Sequence, residues 1–315
     1  MEQLYPLIRS VSIFFLLVLF IQILKRRGFF ETGNTAIFGK VITEIILPIT
    51  IFSTLAVGEI KPQLIYASLI YLVASLLICC IAYIICTLFH FSNPITGTIV
   101  ILAGFGSTST IAYPLISQTY GINSEAMTSA LIIGEFGSCI PFFTIGILIV
   151  AYFGQRSRGS LFYNNIIAFF RSPIFISLIA GLVVSQIPTL STLMTSPFFT
   201  SFFEYFNNGF EMLVAITIGL MLKPIKINDI LIYMAITLPL ALICLPLLVY
   251  AGATLTQTPS LIREILVIEA AVPSGTVAAV MAERYGCDGS LASTIVIISF
   301  LLSLVTIPLI SITLL

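Results

Sequence analysis

The stretch IEAAVPSGTVAAVMAERYG, Ile268 to Gly286, decides how the rest of the chain is read. It lies inside an apolar run long enough to cross a bilayer. Yet Glu269, Pro273, Ser274 and Gly275 fall within eight residues of it. A carboxylate and a helix breaker at membrane depth mark a span that does more than anchor the chain.

Composition places that run in a membrane. Of 315 residues, 59% are hydrophobic and 8% charged, against roughly 25% charged in a soluble domain. Mean hydropathy is +1.16. Net charge is zero, and no basic patch points to nucleic acid. Arg9 precedes the first apolar run and Lys25-Arg26-Arg27 follow it without a small-residue cleavage site, unlike a signal peptide. The six cysteines lack metal-ligand spacing and read as buried thiols. His90, the single histidine, sits at a span end and leaves little room for histidine-based chemistry. No nucleophile–base pair and no phosphate-binding loop appears, so neither an enzyme nor a primary pump is expected, and no cofactor is called for.

Lipid-exposed backbone must satisfy its own hydrogen bonds, so the runs are expected as helices of about 20 residues. They lie near 6–24, 34–57, 64–88, 94–118 and 124–153, then near 172–188, 204–222, 229–254, 260–284 and 290–314. The fold class is therefore an all-α polytopic membrane protein of ten transmembrane helices. A first five-helix group covers 1–153, a polar linker with an amphipathic patch 154–171, and a second group 172–315. Lys25–Arg27, Arg156, Arg158, Arg171, Lys223, Lys226 and Arg284 share one face if both termini are outside the cytoplasm. Lys61 and Arg263 are nearly alone on the other. No organelle address is visible, so the plasma membrane is the expected location.

Two local matches recur in register. EIILPITIFSTL (Glu44–Leu55) aligns with EMLVAITIGLML (Glu211–Leu222), and TYGINSEAMTSALII (Thr119–Ile133) with RYGCDGSLASTIVII (Arg284–Ile298). Five helices per half is an odd number, so the halves enter the membrane from opposite sides as an inverted repeat, a recurring plan among secondary transporters.

Corresponding spans of the two halves are both interrupted. Span 4 holds Ser107-Thr108-Ser109-Thr110 and then Pro114; span 9 holds Pro273-Ser274-Gly275-Thr276. Proline removes a backbone donor and clashes with the preceding turn. At such a break, free N–H groups and the positive end of a helix dipole favour an anion. These nine residues are the expected substrate-binding set. The alternative is a pair of ordinary kinks with back-bonded hydroxyls.

The segment from Pro273 to Leu309, PSGTVAAVMAERYGCDGSLASTIVIISFLLSLVTIPL, resembles the last two helices of the auxin efflux carrier family, which includes plant PIN proteins and bacterial malonate-type carriers. LLVLFIQILKRRGFFETG (16–33) resembles its first helix and loop, and FFRSPIFISLIAGLVV (169–184) its sixth. The resemblance covers most of the chain. It implies a ten-helix carrier in which helices 4 and 9 cross at Pro114 and Pro273. Helices 1, 2, 6 and 7 would form a scaffold and homodimer interface, and the remaining six a moving transport domain. Two positions depart from the family pattern, Ser107 and Val277 standing where members often carry Asn. With these departures substrate identity does not carry over, and the long cytoplasmic loop of the larger plant members is missing, which argues against auxin itself.

Four carboxylates fall inside predicted spans: Glu44, Glu135, Glu211 and Glu269. Each costs roughly 2.5–3.5 kcal/mol at a helix centre if ionised. Glu269 lies one turn before Pro273, and Glu135 lies between Gly134 and Gly137, where another backbone can approach. Both are expected to couple or gate transport. Burial favours their protonated form, which suits a proton carrier, while an ionised form suits sodium. Glu44 and Glu211 form a repeat pair with a scaffold or interface role, and Lys40 stands four residues before Glu44 for an intrahelical ion pair. Arg263 and Glu264 are expected at the outer start of span 9.

The sequence therefore points to a secondary carrier of a small organic anion, working by elevator-like alternating access with H+ or Na+ as coupling ion. The alternatives are a sodium-coupled symporter of the bile-acid type, a channel, or a ligand sensor that transports nothing.

Overall fold

The computed structural model describes residues 4–30, 34–59, 61–154, 167, 170–221 and 230–314. The expected basic anchors Arg156, Arg158, Lys223 and Lys226, and most of the amphipathic patch, lie outside them. The described chain is helical almost throughout, with one isolated β-bridge. In chain order the helices are α1 (Leu4–Arg26), α2 (34–57), α3 (Pro62–Leu88), α4 (Asn93–Gly104), α5 (108–120), α6 (Glu125–Phe153), α7 (Pro173–Ser185), α8 (Pro188–Met194), α9 (Pro197–Met221), α10 (Leu231–Leu255), α11 (Ser260–Ala270), α12 (Thr276–Tyr285) and α13 (Gly289–Leu314).

Among the described residues, α3, α6, α10 and α13 are long and apolar enough to cross a membrane, and the bent pair α7–α8 adds a fifth candidate. The bend between α7 and α8 is 114°, at the end of the expected sixth span, with α8 lying beyond it. Helix α3 shows why these helices suit lipid. Leu64, Ala67, Tyr71, Ala74, Ile78 and Ala82 are buried, while Ile65, Leu69, Val73, Leu77, Ile84 and Leu88 are exposed. An apolar face on both sides of a helix needs an apolar solvent. The chain is a multi-pass membrane protein.

Prolines shape the long helices through wide turns. Four π-helical segments, Ile42–Ile46, Thr108–Ala112, Ile133–Cys139 and Leu240–Cys244, each end two residues before a proline: Pro48, Pro114, Pro141 and Pro246. Proline lacks the N–H for the bond to the carbonyl four residues back, and its ring crowds that carbonyl. One extra residue per turn relieves both faults without ending the helix. A fifth π segment, Phe142–Gly146, has no proline after it.

The chain divides into two compact units. The first comprises 1–61, 113–131 and 168–223. Within it Gln22 Nε2 donates to the Gly219 carbonyl, and Lys25 Nζ donates to the Leu220 carbonyl at 2.5 Å, tying α1 to α9. Lys61 donates to Glu125 at 2.6 Å, which raises the lysine's pKa above its ordinary 10.5. Lys40 and Glu44 form the expected ion pair, at 3.9 Å and well exposed. The side chain of Glu211 lies outside the described part.

The second unit comprises 62–112, 132–167 and 224–315. Close helix approaches build it. A methyl on Gly104 would collide with Cys79 Sγ, and one on Gly137 would come 2.9 Å from the Ser68 carbonyl on α3. Cysteine burial is less uniform than expected: Cys79, Cys86 and Cys287 are buried, Cys139 and Cys244 half-buried, and Cys80 exposed. His90 follows the end of α3 with φ 56°, its Nδ1 2.8 Å from the Thr87 carbonyl.

Candidate functional site

Two helices of the second unit stop, run extended for a few residues, and start again. Of the expected spans, the fourth leaves helical geometry at Phe105–Ser107, between α4 and α5. The ninth leaves it at Ala271–Gly275, between α11 and α12. On the fourth span the break is not at Pro114. That proline lies seven residues past Ser107, in the second position of the α-helical stretch Tyr113–Tyr120 and within the first unit. It acts on the π segment before it, while Gly104 and Gly106 open the chain at Phe105.

The two breaks pair with each other. Gly106 and Ser274 form an antiparallel bridge. The Ser107 N–H donates to the Pro273 carbonyl at 2.8 Å, and the Gly275 N–H donates to the Phe105 carbonyl at 3.0 Å. The Ser274 hydroxyl donates to the Leu102 carbonyl at 2.8 Å, and its N–H to Ser299 Oγ at 3.1 Å. Buried backbone freed by the breaks is thereby satisfied. A β-carbon on Gly275 would sit 3.3 Å from the carbonyl oxygens of Phe105 and Gly106, so the approach leaves little room.

New helices begin at both breaks. The Ile111 N–H donates to the Ser107 carbonyl at 3.0 Å and the Ala279 N–H to the Gly275 carbonyl at 3.2 Å, which makes Ser107 and Gly275 the capping residues. Ser107 Oγ also bonds Thr110 Oγ1. Ser107 and Thr108 are buried, and Ser109, Thr110 and Thr276 half-buried. Eight of the nine expected substrate-binding residues thus fall in one unit, with Pro114 in the other. Ser274 has its hydroxyl committed to the backbone. Ser299 was missed from sequence; the only signal was its spacing with Ser303, one turn later on α13.

Both acids expected to couple transport lie in the same unit. Glu269, in the last turn of α11, is 0% exposed, and Glu135, in a π segment of α6, is 1% exposed. These segments pack against each other with both acids buried. Neither oxygen of the Glu269 side chain has a hydrogen-bond partner among the described residues. The Tyr71 hydroxyl approaches the Glu269 backbone carbonyl instead, at 3.5 Å. Arg263 and Glu264 are half-buried, and the Arg263 guanidinium carbon lies 5.9 Å above the Tyr250 ring. Among the described residues, no three His, Cys, Asp or Glu side chains gather as a metal site.

A search of the curated proteins found no match. The model of one protein family, described as a membrane transport protein, matches residues 7–311. Spanning nearly the whole chain, that match agrees with the resemblance carried by its first, sixth and last two spans, and the chain belongs to this membrane transport family, the auxin efflux carriers.

Proposed function

We propose that the protein is a secondary transporter of a small organic anion, bound beside the paired breaks and moved by alternating access. The observation that carries this reading is the mutual hydrogen bonding of the breaks, Ser107 to Pro273 and Gly275 to Phe105. It fixes two helix starts, at Thr108 and Thr276, within one unit. First-turn N–H groups have no intrahelical acceptor, and with the helix dipole they favour an anion. Ser107, Thr108, Ser109, Thr110 and Thr276 supply hydroxyls at these starts. Pro273 and Gly275 shape the second start, and Pro114 widens the turn that follows the first. Ser274 serves as the anchor of the pairing.

Glu135 and Glu269 couple or gate the cycle, with H+ or Na+ as the accompanying ion. The division into units supports an elevator-like motion. The second unit holds most of the moving part, helices 3–5 and 8–10. The first is the scaffold and homodimer interface, to which Glu44 and Glu211 belong. The chain threads the plasma membrane ten times as two inverted five-helix repeats joined by the 154–171 linker, with both termini outside.

Exchange in proteoliposomes tests the reading. Vesicles loaded with an unlabelled carboxylate should accumulate its labelled form transiently, at carrier rates. Binding without flux would make the protein a sensor, and conductance far above carrier turnover would make it a channel.

A further inference from the structure

Glu269 poses a problem that the anion site leaves unsolved. A fully buried carboxylate with no donor at either oxygen among the described residues is unstable by several kcal/mol unless its charge is compensated. The elements packed against it bring Tyr71 on α3, whose hydroxyl approaches its backbone carbonyl, Glu135 and Cys139 on α6, Tyr250 on α10, and Arg263 and Glu264 on α11 itself. The π turn Thr108–Ala112 and α13, which also pack on α11, carry none. Arg263 is the only cation among them. It lies nearly two helical turns from Glu269, over the Tyr250 ring. Glu135, buried in the π segment packed on α11, adds a second negative charge. Two carboxylates confined together cannot both stay ionised, and one proton removes the repulsion.

We propose that Glu135 and Glu269 form a proton site: the empty carrier holds one proton between the two carboxyls, and a second enters with each monovalent anion. This rests on the carrier reading above. The charges balance. Empty, the pair carries one negative charge. Loaded, both acids are neutral and the anion carries that charge instead. The moving unit keeps the same net charge in both directions, so each cycle carries one anion and one proton and no net charge.

Infrared spectroscopy of the purified protein at neutral pH, without anion, reads the site directly. The expected result is the carbonyl stretch of one buried protonated carboxyl, absent from the Glu135→Gln/Glu269→Gln double variant and unchanged when sodium chloride replaces potassium chloride. A wild-type protein without that band, or one that loses it on sodium addition, overturns the proposal; neither observation depends on the variant folding. In proteoliposomes of the wild-type protein, labelled pyruvate and lactate should accumulate about tenfold per pH unit of inward proton gradient, at an initial rate well above that of protein-free liposomes. A potassium–valinomycin potential should not change that. Accumulation driven by sodium or by the potential overturns the coupling and leaves the carrier reading standing. Absence of exchange at equal pH for every carboxylate overturns the carrier reading and the stoichiometry with it, while the infrared band still decides whether the pair holds a proton.

Discussion

The Ser274 hydroxyl donates to the Leu102 carbonyl at 2.8 Å, across 172 residues of sequence. It links the break in span 9 to the last turn of helix before the break in span 4. The Ser274 N–H is held in turn by Ser299 Oγ. One residue thus joins three helices at the point where two of them are interrupted.

Removing either bond should destabilise the protein measurably. Ser274→Ala leaves the Leu102 carbonyl short of a donor, and Ser299→Ala leaves the Ser274 N–H buried without an acceptor. Each is expected to cost about 1–3 kcal/mol in thermal unfolding. A loss near zero for both would mean that the pairing of the breaks does not depend on these side chains.

The approach of α3 to α4 predicts a rescue. Gly104→Ala drives a methyl into Cys79 Sγ, with the Ser75 carbonyl 3.2 Å away. Overpacking of this kind costs about 1–3 kcal/mol. Adding Cys79→Ala removes the first obstacle, so the double variant should recover part of the loss and the two effects should not add. Additive losses would place the two residues out of contact.

Pro114 should set the wide turn before it. Pro114→Ala restores a backbone donor and removes the clash with the Thr110 carbonyl. A structure of the variant is expected to show regular α-helix through Thr108–Ala112, with Ser109 and Thr110 rotated from their present directions. Transport should fall while thermal stability holds or rises. A π turn that persists without the proline would contradict this cause.

Glu269→Gln replaces an unpartnered buried acid by a neutral side chain of the same shape. Thermal stability at neutral pH is expected to be unchanged or higher. A drop of more than about 1 kcal/mol would reveal a partner that holds the acid in place.

The Lys61–Glu125 pair predicts a pH window. The bond to Glu125 raises the lysine above 10.5, so its stabilisation is complete below that value and is lost as pH rises through the raised one. The stability difference between the wild-type protein and Lys61→Met should stay constant from neutral pH to about pH 10. It should shrink beyond, and shrink at high salt, because the pair is exposed. A difference that grows with alkalinity would reverse the sign.

Much of this could be read from residues alone. Hydropathy marked α3, α6, α10 and α13 because their apolar runs are long and carry few charges. Pro273 and Gly275 marked the second break because they coincide with the site of chain opening. The first break misled. Pro114 drew attention as the stronger breaker, yet a proline within a long helix is absorbed by a π turn, and the chain opens at Gly104–Gly106 instead. Ser299 was invisible for a different reason. Its role depends on which helix packs beside the Ser274 N–H, and an amphipathic pattern cannot specify that. The short helix α8 that starts at Pro188 was not foreseen, because its seven residues carry too little apolar periodicity to stand out.

The central claim is an anion site at the paired breaks, and ligand-dependent thermal stability tests it most directly. Purified protein would be heated with a panel of small carboxylates, at acidic and neutral pH, with and without sodium. At about a hundred times its dissociation constant, the bound carboxylate should stabilise the wild-type protein by roughly 2.7 kcal/mol. It should leave the Pro273→Ala/Thr276→Val variant unmoved. Stabilisation by an uncharged or cationic compound, with no carboxylate acting, would contradict the anion site and the transport function proposed from it.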